Sequence, residues 1–237
     1  MHHFWGLRQG SNLILSEEEA RHARSVLRLN DGDPVRVLDG FGSAWDGPIR
    51  FVGKREAVVA DALELPDYGM VSGHLHLYLA PTKNADRTEW LLEKAVEMGI
   101  HAVTLLECAR SERKHLKHDR LVRVMQAACK QSQKGILPVL NGPIAFSEAV
   151  AQCAAERKAI AALVDGVNPA FLPSELRASP EESWAVCIGP EGDFTAAEVA
   201  EAQKAGFGLV HLGPHRLRTE TAGLYAVAAF AQRSENV

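Results

Sequence analysis

The chain has 237 residues, of which 46% are hydrophobic and 24% charged, the composition of a globular protein long enough for two modest domains. A net charge of −4 excludes a uniformly basic nucleic-acid binder, so any affinity for phosphate must come from local patches. No apolar run approaches the roughly 20 residues of a membrane helix, and MHHFWGLRQG has neither the basic start nor the apolar block of a signal peptide. A cytoplasmic protein is expected, with Cys108, Cys129, Cys153 and Cys187 as reduced thiols, because their wide spacing resembles no disulfide framework.

Residues 1–70 read as short β-runs broken by Asp-Gly and Gly-rich turns, the pattern of a small barrel. Within them EEARHARSVLRL is expected to be helical. Ser16 and Glu19 would form its capping box, and Arg21, Arg24 and Arg28 would share one face. A second basic run, from Arg110 to Lys134, holds Arg113, Lys114, Lys117, Arg120, Arg123 and Lys130. Either patch alone reads equally well as a solvated helix face; both together in an acidic chain favour a phosphate-bearing partner. LPDYGMVSG, residues 65–73, has the composition of a linker.

From His74 onward strands alternate with helices. HLHLYLA precedes a helix from Asp86 to Met98, capped by Asp86 with Glu89 three residues on and closed by Gly99; AVTLLEC follows. A basic helix over 117–131 comes next, then SEAVAQCAAERK with a Ser cap, and AIAALVD as a buried strand. WAVCIG leads to a helix from Ala196 to Ala205, boxed by Thr195 and Glu198 and stopped by Gly206, and FGLVHLG follows. The alternation implies a parallel sheet covered by helices on both faces, an α/β domain. The last helix, AGLYAVAAFAQ, is apolar nearly all round and must be buried, inside the domain or against a second subunit; the dimer is the preferred reading.

Two loops end buried strands with Gly-Pro: IGPEGD at 188–193 and LGPHRLRTE at 212–220. Ligands of open parallel sheets bind at the carboxyl ends of strands, and main-chain groups there suit a flat, uncharged ring such as adenine. No G-x-G-x-x-G and no P-loop is present. His74 with His76, and His115 with His118, have ligand-like spacing, but no third ligand accompanies them and no metal is expected. No Ser/His/Asp arrangement can be assigned from spacing.

Residues 188–230, IGPEGDFTAAEVAEAQKAGFGLVHLGPHRLRTETAGLYAVAAF, resemble the carboxyl-terminal signature of the RsmE family of SPOUT methyltransferases. RHARSVLRLNDGD, LLEKAVEMGI and ARSERK resemble further blocks of that family, so the likeness covers essentially the whole chain. It implies a PUA-like β-barrel RNA-binding domain over 1–70 and a SPOUT methyltransferase domain over 74–237, with a parallel sheet and a C-terminal trefoil knot. It implies S-adenosylmethionine as methyl donor, N3 of a uridine in 16S rRNA of the small ribosomal subunit as acceptor, and a homodimer. Leu163, Ile188, Gly189, Pro190, Gly192, Leu212, Gly213, Leu217 and Arg218 would hold the cofactor. Arg218 would stabilise charge on the uracil, and Glu220 or Glu191 would serve as base, although Glu220 could equally be an ion pair orienting Arg218. Arg21, Arg24, Arg28, Lys83, Arg113 and Lys114 would grip RNA. The chain departs from the family at Asp193, where a second glycine is usual, and at Lys130 and Lys134. The rival readings are a non-catalytic RNA-binding or ribosome-assembly factor and a methyltransferase of another RNA such as tRNA.

Overall fold

The computed structural model describes residues 1–53, 55–112, 116–164 and 167–233, which fall into two units. The first is Met1–Met70 together with Gln126–Leu137, and the second comprises Val71–Met125 and the chain from Pro138 onward.

Six strands build the first unit: β1 (His2–Gln9), β2 (Asn12–Leu15), β3 (Pro34–Leu38), β4 (Ala44–Val52), β5 (Glu56–Val59) and β6 (Leu63–Leu65). Their order is β3-β1-β2-β5-β4-β6, and a further β3–β4 pairing closes the first five into a barrel. Alternation along the strands sends Phe4, Leu13, Leu15, Val35, Val37, Ile49 and Val59 into its core.

The helix after β2 is shorter than the pattern suggests. Helix α1 spans Glu17–Arg21, with the Ser16 hydroxyl accepting the Glu19 N–H at 3.3 Å. The return arm of the expected capping box is missing, because the Glu19 carboxylate instead accepts from the Lys130 ammonium. A π-helical turn then covers His22–Val26, and Arg28 lies beyond it with φ of +56°. The widened turn changes the angular spacing of the residues that follow. Arg21, Arg24 and Arg28 are therefore all exposed but do not share the face of one regular helix. Arg24 donates to the Gly53 carbonyl at 2.8 Å and lies 4.3 Å from the Phe51 ring centre.

The second unit holds a seven-stranded sheet with every pairing parallel, in the order β11-β13-β10-β12-β7-β8-β9. The strands are β7 (Leu75–Leu79), β8 (Ala102–Glu107), β9 (Val139–Ala145), β10 (Arg157–Ala161), β11 (Ala170–Phe171), β12 (Trp184–Ile188) and β13 (Gly208–His211). Its centre is β12, buried at all five positions. On one face Tyr78, Cys187, Phe146, Val199 and Phe207 form a core with α4 (Phe146–Gln152) and α6 (Ala196–Lys204). The other face carries Leu75, Leu77 and Leu79 under α2 (Ala85–Glu97) and α7 (Thr219–Ala231), with α5 (Leu172–Ala178) against α7.

Local signals hold with some corrections. The Thr195–Glu198 capping box on α6 has both arms, and Gly206 ends the turn with φ of +88°. On α2 the cap is Asn84, whose side chain accepts the Asp86 N–H at 3.0 Å, while Glu89 pairs with Arg120. On α4 the cap is Ala145 without a side-chain bond, so Ser147 lies inside the first turn. Helix α3 (His118–Ser132) begins in the second unit, and its turns from Gln126 belong to the first. The four cysteines are free and buried, and burial pushes the Cys108 and Cys129 thiols up to about 12.

Two features bear on function. From β13, on the far side of β10, the chain reverses through 212–218 so that α7 packs on β12 and β7. His76, one of the histidines with ligand-like spacing, bonds the Thr104 hydroxyl at 2.7 Å and stacks on Tyr78, and His74 stands 5.1 Å from the His101 ring. His115 is outside the described residues, and among those described no group of three acidic, His or Cys side chains could hold a metal ion.

Burial pushes the His76 imidazole down from the ordinary 6.5 to about 4, with His74 adding a smaller effect in the same direction. The unfolded chain therefore takes up a proton that the folded one refuses, and stability falls as pH drops from about 6.5 towards 4. Urea unfolding of the wild type at neutral and mildly acid pH should show this loss. His76→Gln should show a smaller one; an identical loss in the variant would contradict the assignment.

Candidate active site

Strands β10, β12 and β13 run parallel in the register Ala161↔Ile188 and Ala161↔Val210, so their carboxyl ends reach one edge together. The loops that follow enclose a cavity of about 560 Å³. Leu163, Val164, Val167 and Pro169 line it from the loop after β10, Ile188 from the end of β12, Gly189, Pro190, Glu191 and Asp193 from the loop that follows, and Leu212, Gly213, Leu217 and Arg218 from that after β13. Leu163, 81% exposed, places a large apolar side chain at its mouth.

Each Gly-Pro loop has a local physical cause. After β12 the chain turns with the Asp193 N–H on the Pro190 carbonyl at 2.9 Å. Asp193 has φ of +62°, the left-handed region that an Asp visits at lower cost than most residues. Its carboxylate accepts the Phe194 N–H at 2.7 Å and the Leu163 N–H at 3.1 Å, tying two of the loops together. The departure from glycine at this position thus keeps the backbone conformation glycine would provide and adds a cross-link. Gly213 has φ of +123°, so its glycine is required by the backbone. The Thr219 hydroxyl, which sequence reasoning did not single out, donates to the Gly189 carbonyl at 3.1 Å and joins one Gly-Pro loop to the start of α7.

Gly192 is not on the cavity wall. Its carbonyl is turned to the Arg110 guanidinium at 2.8 Å, so the tight turn spends this glycine on holding the loop rather than on lining the cavity. Glu191 lines the cavity while remaining exposed, and its carboxylate accepts the Lys83 N–H at 2.9 Å. The Lys83 ammonium pairs with Glu112 at 2.7 Å. Arg113 and Lys114 lie outside the described residues.

A second cavity, of about 580 Å³, adjoins the first. Asp86, Arg87 and Trp90 of α2 line it, with Arg216, Leu217, Arg218, Glu220 and Thr221. The two cavities share Arg216, Leu217 and Arg218. Glu220 belongs to the second alone and its ion pair is with Arg87, at 3.5 Å, rather than with Arg218, because the first turn of α7 presents this side chain to α2. Arg87 and Trp90 escaped the sequence reading: on α2 they are ordinary helix residues, and only the tertiary return of α7 brings them to the site.

The left-handed Gly213 provides a direct check. Gly213→Ala should lower stability to urea by about 1–3 kcal/mol through backbone strain alone. Gly192→Ala, without a left-handed backbone and with only the Arg110 stem near the new methyl, should cost less than about 1 kcal/mol. Equal costs would refute the assignment of different roles to the two glycines.

Known proteins bear directly on this arrangement. A family model described as an RNA methyltransferase domain matches residues 71–231, and one described as an RNA methyltransferase PUA domain matches residues 15–61. The ribosomal RNA small subunit methyltransferase E of Bacillus subtilis is 26% identical over 246 residues, spanning 97% of this chain and 93% of its own length. A probable rRNA-methyltransferase from Porphyromonas gingivalis superposes with a TM-score of 0.85 at 35% identity, over 96% of this chain and 95% of that one. A ribosomal RNA small subunit methyltransferase E from Neisseria gonorrhoeae bound to S-adenosyl methionine superposes at 0.81 with 28% identity, over 97% and 96%. The likeness takes in the barrel and the parallel sheet together, which is the expected combination of a PUA-like barrel with a SPOUT domain. The chain belongs to the RsmE family of RNA methyltransferases.

Proposed function

We propose that the protein transfers a methyl group from S-adenosylmethionine to N3 of a uridine in the 16S rRNA of the small ribosomal subunit. The observation that carries the reading is the pair of adjoining cavities sharing Arg216 to Arg218. One is walled by loops whose main chain can read an uncharged ring, and the other by charged and aromatic side chains. A protein named for the same reaction class and bound to S-adenosyl methionine shares the fold over nearly its whole length.

The residues present fit this cofactor. A Cβ at Gly189 would stand 3.1 Å from the Phe194 ring, so the glycine lets this cavity-lining loop pack closely on Phe194. Leu163, Ile188, Gly189, Pro190, Leu212, Gly213 and Leu217 would hold the adenosyl group, and Arg218 would stand at its reacting end. When bound, the cofactor supplies a methyl group on a positively charged sulfur, ready for in-line displacement. The protein must supply alignment and make the uracil nucleophilic, because N3 carries a proton. Arg218 opposes negative charge spreading to O2 and O4 of the ring.

The target base must be flipped out or presented in a single-stranded loop. Residues 1–70, with the exposed Arg21, Arg24 and Arg28, take the RNA backbone, residues 74–237 carry the transfer, and Lys83 adds a contact near the site; Arg113 and Lys114, outside the described residues, are further RNA contacts implied by the resemblance. A second copy of the chain covers α7, whose Leu224, Tyr225, Ala228 and Ala229 remain only partly buried within the protomer. The reaction places the protein in the cytoplasm, and no helix among the described residues is long and apolar enough to cross a membrane.

Purified protein incubated with S-adenosylmethionine and small subunits lacking the modification should produce 3-methyluridine, identified by mass spectrometry of digested RNA. Arg218→Ala should slow the reaction about 100- to 1,000-fold. Binding of cofactor and subunits without any methylated nucleoside would move the assembly-factor reading ahead, and methylation only of tRNA would replace the substrate. Analytical ultracentrifugation should give the mass of two chains, reduced by Tyr225→Asp; a monomeric wild type would contradict the dimer.

A further inference from the structure

We propose that the cavity between α2 and the start of α7 is the pocket for the target uracil, in which Glu220 takes the N3 proton, Arg87 opposes the charge left on the ring, and Trp90 stacks on it. The proposal rests on the uridine-N3 reading above and assigns its chemistry to particular side chains.

Glu220 is the starting point. It is 7% exposed, one carboxylate oxygen is 3.5 Å from the Arg87 guanidinium, and the other is buried without a hydrogen-bond partner among the described residues. Buried carboxylates are rarely left with an open acceptor, because burial removes the water that would satisfy it. The Arg87 contact is also longer than the roughly 2.7–2.9 Å of a charge-assisted hydrogen bond, which leaves the guanidinium free to engage another acceptor. Glu220 and Arg87 both line the cavity of about 580 Å³, and an unsatisfied acceptor beside an incompletely used donor suits a ligand with an N–H flanked by oxygens. The imide edge of uracil has that pattern, with N3–H between two carbonyl groups. Cytosine lacks a proton at N3 and would set a lone pair against the carboxylate, so the same geometry selects the base.

Trp90 supports this from the opposite direction. On a helix that buries Leu91, Leu92 and Ala95, it remains 45% exposed and lines this cavity. Aromatic side chains accept flipped bases by stacking. The charged groups lining the cavity beside Glu220 are Asp86 and Arg87 from α2 and Arg216 and Arg218 from the segment before α7, three cations to one other anion, which suits a ring that becomes negatively charged. Glu191, the other candidate base, lines only the first cavity, and one of its oxygens already holds the Lys83 N–H.

In the step itself the N3–H bond breaks, its electron pair stays on nitrogen and the proton passes to Glu220. The nitrogen pair then forms the bond to the methyl carbon as the carbon–sulfur bond breaks, with those electrons going to sulfur. Glu220 afterwards gives its proton to solvent.

The test is single-turnover methylation of small subunits lacking the modification, with cofactor affinity and thermal unfolding measured in parallel. If the wild type makes no 3-methyluridine, the underlying reading fails. If it does, E220Q should transfer methyl about 100- to 10,000-fold more slowly with cofactor affinity unchanged. Its residual rate should rise with pH more steeply than the wild-type rate, as N3 ionises unaided. Trp90→Ala should weaken half-saturation by subunits about 5- to 150-fold, with Trp90→Phe restoring most of it. Wild-type rate and pH profile in E220Q, or a rate lost in E191Q but kept in E220Q, overturns the proton-acceptor assignment. Unchanged half-saturation in Trp90→Ala overturns the pocket, and decides alone should E220Q fail to fold.

Discussion

The site depends on the return of the chain after β13. The Thr219 hydroxyl on the Gly189 carbonyl fixes the start of α7 to the loop after β12, and α7 then lies against α2 through Gly223. A Cβ at Gly223 would stand 2.6 Å from a Leu91 methyl, so the absence of a side chain sets how closely the two helices approach. That approach brings Glu220 to Arg87, and the same reversal folds residues 212–218 over the ends of β12 and β13. Both cavities are consequences of one tertiary contact surface.

The division of labour between the cavities follows from what lines them. Where the chain turns through Gly189, Gly213 and the left-handed Asp193, the lining includes two glycines, two prolines and the aliphatic Leu163, Val164, Ile188, Leu212 and Leu217. Such a surface suits a ligand recognised by shape and by uncharged hydrogen bonds. Where α2 faces the start of α7, Arg87, Arg216, Arg218 and Glu220 line the second cavity together with Trp90. Glu220 is buried there, Arg87 is half-buried and Arg216 and Arg218 are exposed, and cations gathered on one wall oppose the charge of a developing anion. Arg218 lies on both surfaces, and the reaction is proposed to occur across it.

Sequence reasoning succeeded where cause and effect lie close along the chain. The Thr195–Glu198 box, the buried strand at 184–188 and both Gly-Pro loops each arise within a few residues, and each is present. It failed where a distant partner competes. Lys130 draws Glu19 away from Ser16, and the π-turn at His22–Val26 breaks the periodicity that aligned Arg21, Arg24 and Arg28. Arg110 takes the Gly192 carbonyl, and Arg87 takes Glu220 in place of Arg218. A motif shows that glycines and charges are used, but the neighbour that uses each is set by tertiary packing. For this reason the resemblance pointed to the two Gly-Pro loops while leaving the base open between two glutamates.

The cavity between the two Gly-Pro loops is the proposed cofactor site, opening at Arg218 towards the second cavity. Crystals grown with S-adenosylmethionine test this most directly. Density for the adenosyl group is expected between residues 188–193 and 212–219, with the methyl-bearing sulfur on the Arg218 side. Density in another place, or a methyl group directed away from Arg218 and the cavity beyond it, would contradict it.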